Sequence, residues 1–485
     1  MTLAALPRLI ALGLALTLVG AIGARAAPAL PAGAIGERLR DFVEAVNNPA
    51  GPQAQGFGIR DMSDAFPEGH APAAVQRYFQ GQRRVTGGVR LVGFRFDAGS
   101  RTRGTLAFRD TIYDSVRALG FVFDATPQGK ILDFAPVPAP AWAIPATARH
   151  SSQEIAGYAK ALVARGCRAE VFSGAFLVAR NGRILMQAAC GEADRSTHRR
   201  NTTDTRFNLG SINKAFTAVA VAQLIDQGRI RPDDRLSAFV DDSWLPKSVS
   251  EQITIDQLLS MTSGLGSYLD DNPMSQFASY RTMEAYKPVM RAQALLAKPG
   301  ASWRYSDTGF FLLGLVIEKA SGEAYHDYIR RHIYAPAGMT ATDSYPLDEV
   351  AKHDTAIGYS YDTSTRSWRP NTGLLPLVGG PDGGGFSTVG DLLRFARALQ
   401  SGKLVSHGSL DWLWTDHPPN NWGRGFYVYD GAAGRIVGKD GFGPGVSSEF
   451  DVYFDKGYVV VALSNSGSGA LAPMDAMRAE IAGAR

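Results

Sequence analysis

Ser211-Ile212-Asn213-Lys214 places a hydroxyl and an amine three positions apart where a helix opens. Positions i and i+3 of a helix share one face, so Lys214 reaches Ser211. A serine hydroxyl is a weak nucleophile at neutral pH until a neighbour takes its proton, and a desolvated amine is able to do so. The field at a helix N-terminus also favours the negative charge that develops on an attacking oxygen. The plain alternative is a helix-capping serine followed by a solvated lysine, because Ser-x-x-Lys is frequent by chance. Two further polar triplets accompany it. Tyr305-Ser306-Asp307 precedes a helical run over 310–320, and Lys439-Asp440-Gly441 lies in a glycine-rich stretch, 438–445, just ahead of the last strands.

The elements that must position these groups are legible from periodicity. Ile212, Phe216, Val219, Leu224 and Ile225 form the apolar stripe of the helix opened by Ser211, and Gly228 closes it. Upstream, a helix over 154–163 leads into strands over 171–180 and 184–189, joined by the hairpin signal Asn181-Gly182. Downstream, strands over 450–454 and 458–463 flank the turn Asp455-Lys456-Gly457, and a last helical stretch covers 474–481. The spacing predicts one sheet assembled from both ends of a domain spanning 151–485, with a helical region packed on it. A separate small α+β domain is expected over 27–134, with one or two helices followed by an antiparallel meander. Ile35, Leu39, Phe42, Val43 and Val46 recur at helical spacing up to Asn47-Asn48-Pro49, and strand-like runs follow at 89–96, 104–108, 119–123 and 130–134. The prolines at 136, 138, 140 and 145 predict a stiff linker over 135–150.

At 485 residues the chain holds two or three domains at ~150 residues each. The formal charge is +4, so no strong basic field marks a nucleic-acid partner. Two cysteines exclude a disulfide-rich scaffold and a four-cysteine metal site, and the eight histidines show no metal-ligand spacing. No metal or other cofactor is called for. Arg8, the apolar run 9–22 and Ala24-Arg25-Ala26 read as a cleavable signal peptide over 1–26. That run falls short of the ~20 apolar residues of a membrane span. The expected mature protein is therefore periplasmic or secreted, without a stable membrane anchor. In an oxidising compartment Cys167 and Cys190 either pair or stay free.

The three triplets, in this order, resemble the signatures of the serine β-lactamase and penicillin-binding protein superfamily: Ser-x-x-Lys, then Tyr-x-Asn or Ser-x-Asn, then Lys-Thr-Gly or His-x-Gly. The similarity covers most of 155–482 and is closest to the branch of class C β-lactamases, D-alanyl-D-alanine carboxypeptidases and related esterases. Stretches 207–230, 258–265, 299–322, 383–393 and 458–465 add to it. The resemblance implies an α/β (α+β) β-lactamase/transpeptidase-like fold and an exported serine hydrolase that forms an acyl-enzyme on Ser211. It implies that Lys214 and Tyr305 share proton transfer, and that the backbone N–H groups of Ser211 and Phe442 form the oxyanion hole. Lys439 would hold a substrate carboxylate, and Gly441 would let substrate approach the strand edge. The substrate is a small molecule or peptide: a D-alanyl peptide, a β-lactam or a small ester. The 27–134 domain resembles NTF2-like (cystatin-like) domains.

Two residues depart from the pattern. Asp307 stands where the family usually has Asn, and an ionised Asp accepts but cannot donate a hydrogen bond. It would also keep Lys214 charged and weaken it as a base. Asp440 replaces a hydroxyl and would repel a substrate carboxylate. These changes leave open a second reading, a catalytically impaired protein that binds a cell-wall or small-molecule ligand. Residues 385–389 lack the closing glycine of a nucleophile elbow. His326 and His332 are expected on helix faces in structural roles. Trp303, Tyr268 and Trp422 are expected in the core or at the rim, with Tyr268 and Trp422 also candidates to line the pocket.

Overall fold

The structure is a computed structural model that describes residues 30–63, 72–137, 139–140, 142–143, 150–270, 274–416, 421–431 and 433–484. The expected signal peptide lies outside the described residues.

Helices α1 (Ala34–Asn47), α2 (Pro52–Asp61) and α3 (Pro72–Thr86) precede a four-stranded antiparallel meander. Its strands are β1 (Val89–Phe96), β2 (Arg103–Asp110), β3 (Val116–Phe123) and β4 (Ile131–Val137). Phenylalanines fill the space between helices and sheet. The Phe42 ring meets those of Phe57, Phe79, Phe121 and Phe134 edge-on at 5.9, 5.5, 5.2 and 5.4 Å, a favourable geometry for aromatic pairs. Two expectations change here. One or two helices were expected before the strands, and there are three; α3, rich in Gln and Arg, carries too few strongly apolar residues to stand out. The strand at the end of the meander also runs through residues 135–137, placed in the linker from sequence. Pro136 pairs opposite Leu119, which is tolerated because β4 is an edge strand and needs no outward donor.

The second unit begins with α4 (Ser152–Arg168), started by a reciprocal capping box between Ser151 and Glu154. The hairpin of β5 (Gly174–Arg180) and β6 (Arg183–Cys190) turns at Asn181 and Gly182, both at positive φ, as a two-residue type I′ turn requires. Then follow α5 (Asn213–Asp226), α6 (Asp307–Ser321), the small hairpin β7 (Tyr359–Asp362) and β8 (Ser367–Pro370), and α7 (Val389–Gln400). The chain closes with β9 (Tyr427–Gly431), β10 (Gly434–Gly443), β11 (Val446–Tyr453), β12 (Tyr458–Ser464) and α8 (Leu471–Ala482).

The central sheet has the antiparallel order β9-β10-β11-β12-β5-β6, so both ends of the domain build it. Alternation along β12 splits the core in two. Val459, Val461 and Leu463 face the helical region, while Tyr458, Val460 and Ala462 face α4 and α8. Helix α5 departs from its expected single stripe: Asn213 to Ala222 are buried all round, because it threads between the sheet and α6. Cys167 and Cys190 form a disulfide that ties the end of α4 to the end of β6.

Tyr113, on the β2–β3 turn, plugs the small unit into the large one. It is 1% exposed and packs with Ile155, Ala159 and Leu162. The neighbouring Gly166 leaves room for it, since a Cβ there would lie 2.5 Å from the tyrosine hydroxyl. Arg165 Nη1 donates to the Tyr113 carbonyl at 3.0 Å.

Candidate active site

Ser211 sits in a 3-10 turn, Gly210–Ile212, that runs directly into α5. A loop and a pair of strands from distant parts of the chain clamp this turn. From one side, Leu209 N donates to the Gly385 carbonyl at 2.7 Å and Gly384 N to the Gly210 carbonyl at 3.1 Å. Asn213 pins the same loop, donating to the Gly380 carbonyl at 3.0 Å and accepting from Gly385 N at 3.2 Å. From the other side come β10 and its neighbour β11, whose Ser448 Oγ donates to the Leu209 carbonyl at 2.6 Å. The approach is so close that a Cβ on Gly441 would lie 1.9 Å from the Leu209 carbonyl oxygen and 2.7 Å from Ser211 N. Only glycine fits there.

The cleft edge follows from strand lengths. β9 pairs with β10 only over Gly434–Gly438, whereas β11 pairs through to Gly443. The other edge of residues 439–443 therefore carries no strand partner among the described residues, and an extended substrate is able to add there. The Phe442 side chain is exposed beside this edge.

Lys214 is fully buried and donates three hydrogen bonds: to Ser211 Oγ at 3.0 Å, Asp307 Oδ1 at 2.6 Å and the Asp382 carbonyl at 2.6 Å. An amine giving three N–H bonds is an ammonium with no lone pair to accept a proton. Burial alone would lower its pKa, but the charges of Asp307, Tyr305 and Asp382 outweigh burial and hold it raised. Asp307 itself opens α6 and also accepts from Ser267 Oγ at 2.7 Å. Its capping neighbour Ser306 fixes that opening, accepting from Gly309 N at 2.9 Å.

Asp382 was missed by sequence reasoning. Its carboxylate accepts from the Tyr268 hydroxyl at 3.0 Å, and burial pushes it up to about 7, against the lowering effect of Lys214. The signal that could have found it is the run Gly379-Gly380-Pro381-Asp382-Gly383-Gly384-Gly385, one carboxylate in a loop built for close backbone approach. His326 Nε2 bonds the Gly379 carbonyl of this loop at 2.8 Å, and His332 pairs with Glu323 at 2.8 Å.

Lys439 does not stand free. Its buried ammonium donates to Asp440 Oδ1 at 2.6 Å and to the Asp440 carbonyl at 2.8 Å. It lies 4.6 Å from the Tyr427 ring, 5.4 Å from Trp422 and 5.9 Å from Tyr305. Asp440 and Lys439 thus form a contact ion pair. Tyr305 is half-buried, with Lys214 Nζ 4.9 Å from its ring, and no hydrogen bond joins its hydroxyl to Ser211 among the described residues. Trp422 and Tyr268 belong to the core and not to the pocket lining. Trp422 is fully buried behind Tyr305, its ring 6.0 Å away and its indole N–H on the Leu259 carbonyl at 3.0 Å. Tyr268 meets the site through its hydrogen bond to Asp382.

Comparison with known proteins agrees with this geometry. The family model described as Beta-lactamase matches residues 156–484. The Bacillus subtilis protein PbpX is 32% identical over 262 residues, 54% of this chain and 63% of PbpX, so the match spans less than two thirds of that relative. The crystal structure of a penicillin-binding protein from Bacillus halodurans superposes with a TM-score of 0.59 at 28% identity, covering 64% of this chain and 96% of that one. A D-stereospecific amidohydrolase from Streptomyces gives a TM-score of 0.51 at 29% identity, over 62% of this chain and 93% of that one. With the sheet, the buried helix behind Ser211 and the three triplets in one cleft, these matches show that the chain belongs to the β-lactamase family.

Proposed function

We propose that the protein is an exported serine hydrolase that forms an acyl-enzyme on Ser211 and acts on esters or amides lacking a carboxylate beside the scissile bond. The observation that carries this is Lys214 Nζ on Ser211 Oγ at 3.0 Å, in a turn held against the open edge of β10. Ser211 Oγ attacks the substrate carbonyl, and the oxyanion faces the backbone N–H groups of Ser211 and Phe442. Lys214, with all three N–H groups donated, acts as a fixed positive charge beside the nucleophile. Tyr305, flanked by Lys214 and Lys439, takes the serine proton and delivers it to the leaving alcohol or amine. Water then releases the acyl group along the same route.

The substrate restriction rests on Lys439. In its ion pair with Asp440 it offers no free charge to a carboxylate, and Asp440 adds repulsion. This disfavours D-alanyl peptides and β-lactams and leaves small esters and neutral amides. Export is supported by the pattern of residues 8–26 and by the Cys167–Cys190 disulfide, which suits an oxidising compartment. No helix among the described residues is long and apolar enough to cross a membrane.

A fluorophosphonate should add one mass adduct to the wild type and none to Ser211→Ala, read by intact mass. The same preparation should hydrolyse a neutral aryl ester at least ~100-fold more efficiently than a carboxylate-bearing cephalosporin. Equal labelling of Ser211→Ala would overturn the nucleophile, and the reverse substrate preference would overturn the restriction. One observation favours the second reading, a ligand-binding protein: both lysines of the cleft are already committed to carboxylates. Absence of any adduct on the wild type would select it.

A further inference from the structure

A cavity of about 690 Å³ lies between the two units, away from Ser211, within the ~300–1,000 Å³ range of small-molecule sites. The cavity reaches from the core of the small unit, where Phe57, Phe108 and Phe134 line it, out to the face of the large unit. One wall is α3 with the β2–β4 face; the other is the β7–β8 hairpin, residues 466–468 and the start of α8. The apposition is built, with Tyr113 plugged into the large unit and Arg84 closing the far side. The Arg84 guanidinium stacks on Tyr361 at 3.6 Å and lies 5.0 Å from Trp368, both on the hairpin, and donates to the Glu170 carbonyl at 3.2 Å.

The lining is mainly apolar and includes Phe108, Leu119 and Trp368. Its charges are uneven. Asp133 and Glu170 are exposed residues at the rim, and Asp475 is taken by Arg478 at 3.0 Å. Arg84 and Arg117 are half-buried, and neither forms an ion pair among the described residues. Glu170 acts on Arg84, and Arg117 on Asp110, from beyond ion-pair distance, so each guanidinium keeps donors for a bound anion.

We propose that this cavity binds a small amphipathic carboxylate, its apolar body against Phe108, Leu119 and Trp368 and its head on the unpaired guanidiniums. The cavity also touches the catalytic domain's working parts. Tyr361 and Trp368 lie on a hairpin whose Tyr359 N donates to the Asn465 carbonyl at 2.8 Å, and the adjoining Asn371 donates to the Pro444 carbonyl at 3.0 Å, in the turn that follows the open edge of β10. An occupant therefore braces the hairpin that supports the cleft.

The test is calorimetric titration of the full mature chain, its Ser211 first blocked with fluorophosphonate, against hexanoate, octanoate and decanoate. Saturable 1:1 binding is expected, tightening roughly tenfold for every two methylenes added. Gly81→Phe should abolish it. A Cβ at Gly81 meets no atom within 4 Å, so the ring fills the cavity from α3, where losing a glycine also favours the helix. Ala74→Trp, from the same helix, is the second blocking variant should the first fail to fold. Arg117→Gln should weaken decanoate about tenfold. No saturable binding by the wild type, or binding unchanged in a folded blocking variant, would overturn the site. Decanol binding as tightly as decanoate would overturn the carboxylate.

Discussion

Lys214 is caught between two acidic residues whose charges oppose its use as a base. Burial draws its pKa down, and Asp307 is the foremost of the charges that hold it up. Asp307→Asn keeps the shape and removes that charge, so burial should prevail and the neutral amine should form at lower pH. The pH of half-maximal fluorophosphonate acylation should fall by at least about one unit, and the rate near pH 7 should rise. Pseudo-first-order rates across the pH range check this. An unchanged profile would show that Asp307 does not set the charge of Lys214, which then stays a cation in the variant as well. Ser211 and Lys214 were legible because i and i+3 on one helix are neighbours wherever the helix sits. Asp382 was not: it meets Lys214 across 168 positions of sequence, and only the docking of its loop onto Asn213 brings it there.

The site depends on two elements meeting without a side chain between them. β10 lies so close to the turn at Ser211 that Gly441→Ala would push its Cβ onto the Leu209 carbonyl. The strand and the turn should separate, misplacing the N–H groups of Ser211 and Phe442 together. Acylation should fall about 10²–10³-fold, while stability drops by no more than about 3 kcal/mol. The second-order acylation rate beside a thermal melt separates the two effects. Acylation within a factor of about three of wild type would mean that these N–H groups do not serve the oxyanion. Gly441 pointed to a strand edge through the family resemblance. The self-capture of Lys439 by Asp440 did not show, because adjacent residues on an ideal strand point to opposite faces and only the packed aromatic rings around Lys439 turn its ammonium back.

The whole molecule carries a pH signature on the rear face of its sheet. Glu449, on β11, is paired with Arg478 of α8, which also binds Asp451 and Asp475. Burial nevertheless pushes Glu449 up to about 8. A carboxyl raised in the folded state holds its proton more tightly there than in the unfolded chain. Its advantage is greatest in acid and is lost as pH climbs through the folded value. Buried Asp382, raised to about 7, acts in the same direction. Stability should therefore fall between about pH 5 and pH 8, by at most about 1.4 kcal/mol per pH unit for each group. Glu449→Gln should flatten that slope, and melting curves at both pH values decide it. An identical slope in the variant would show that Glu449 keeps its charge throughout, held by Arg478.

Sequence by itself determined what is local or periodic: the Ser-x-x-Lys step on a helix, the Asn181-Gly182 turn, the strands at both ends of the large unit and the meander of the small one. Each follows from spacing within one element, or from a pattern that survives whatever packs against it. Tertiary structure decided the rest. α5 is buried all round because other elements enclose it, β4 admits Pro136 because it lies at an edge, and Trp422 and Tyr268 stand behind the cleft instead of lining it. Asp382 joins Lys214, Lys439 is neutralised and a cavity opens between the units for the same reason: these are contacts between surfaces far apart in sequence, fixed only when the whole chain packs.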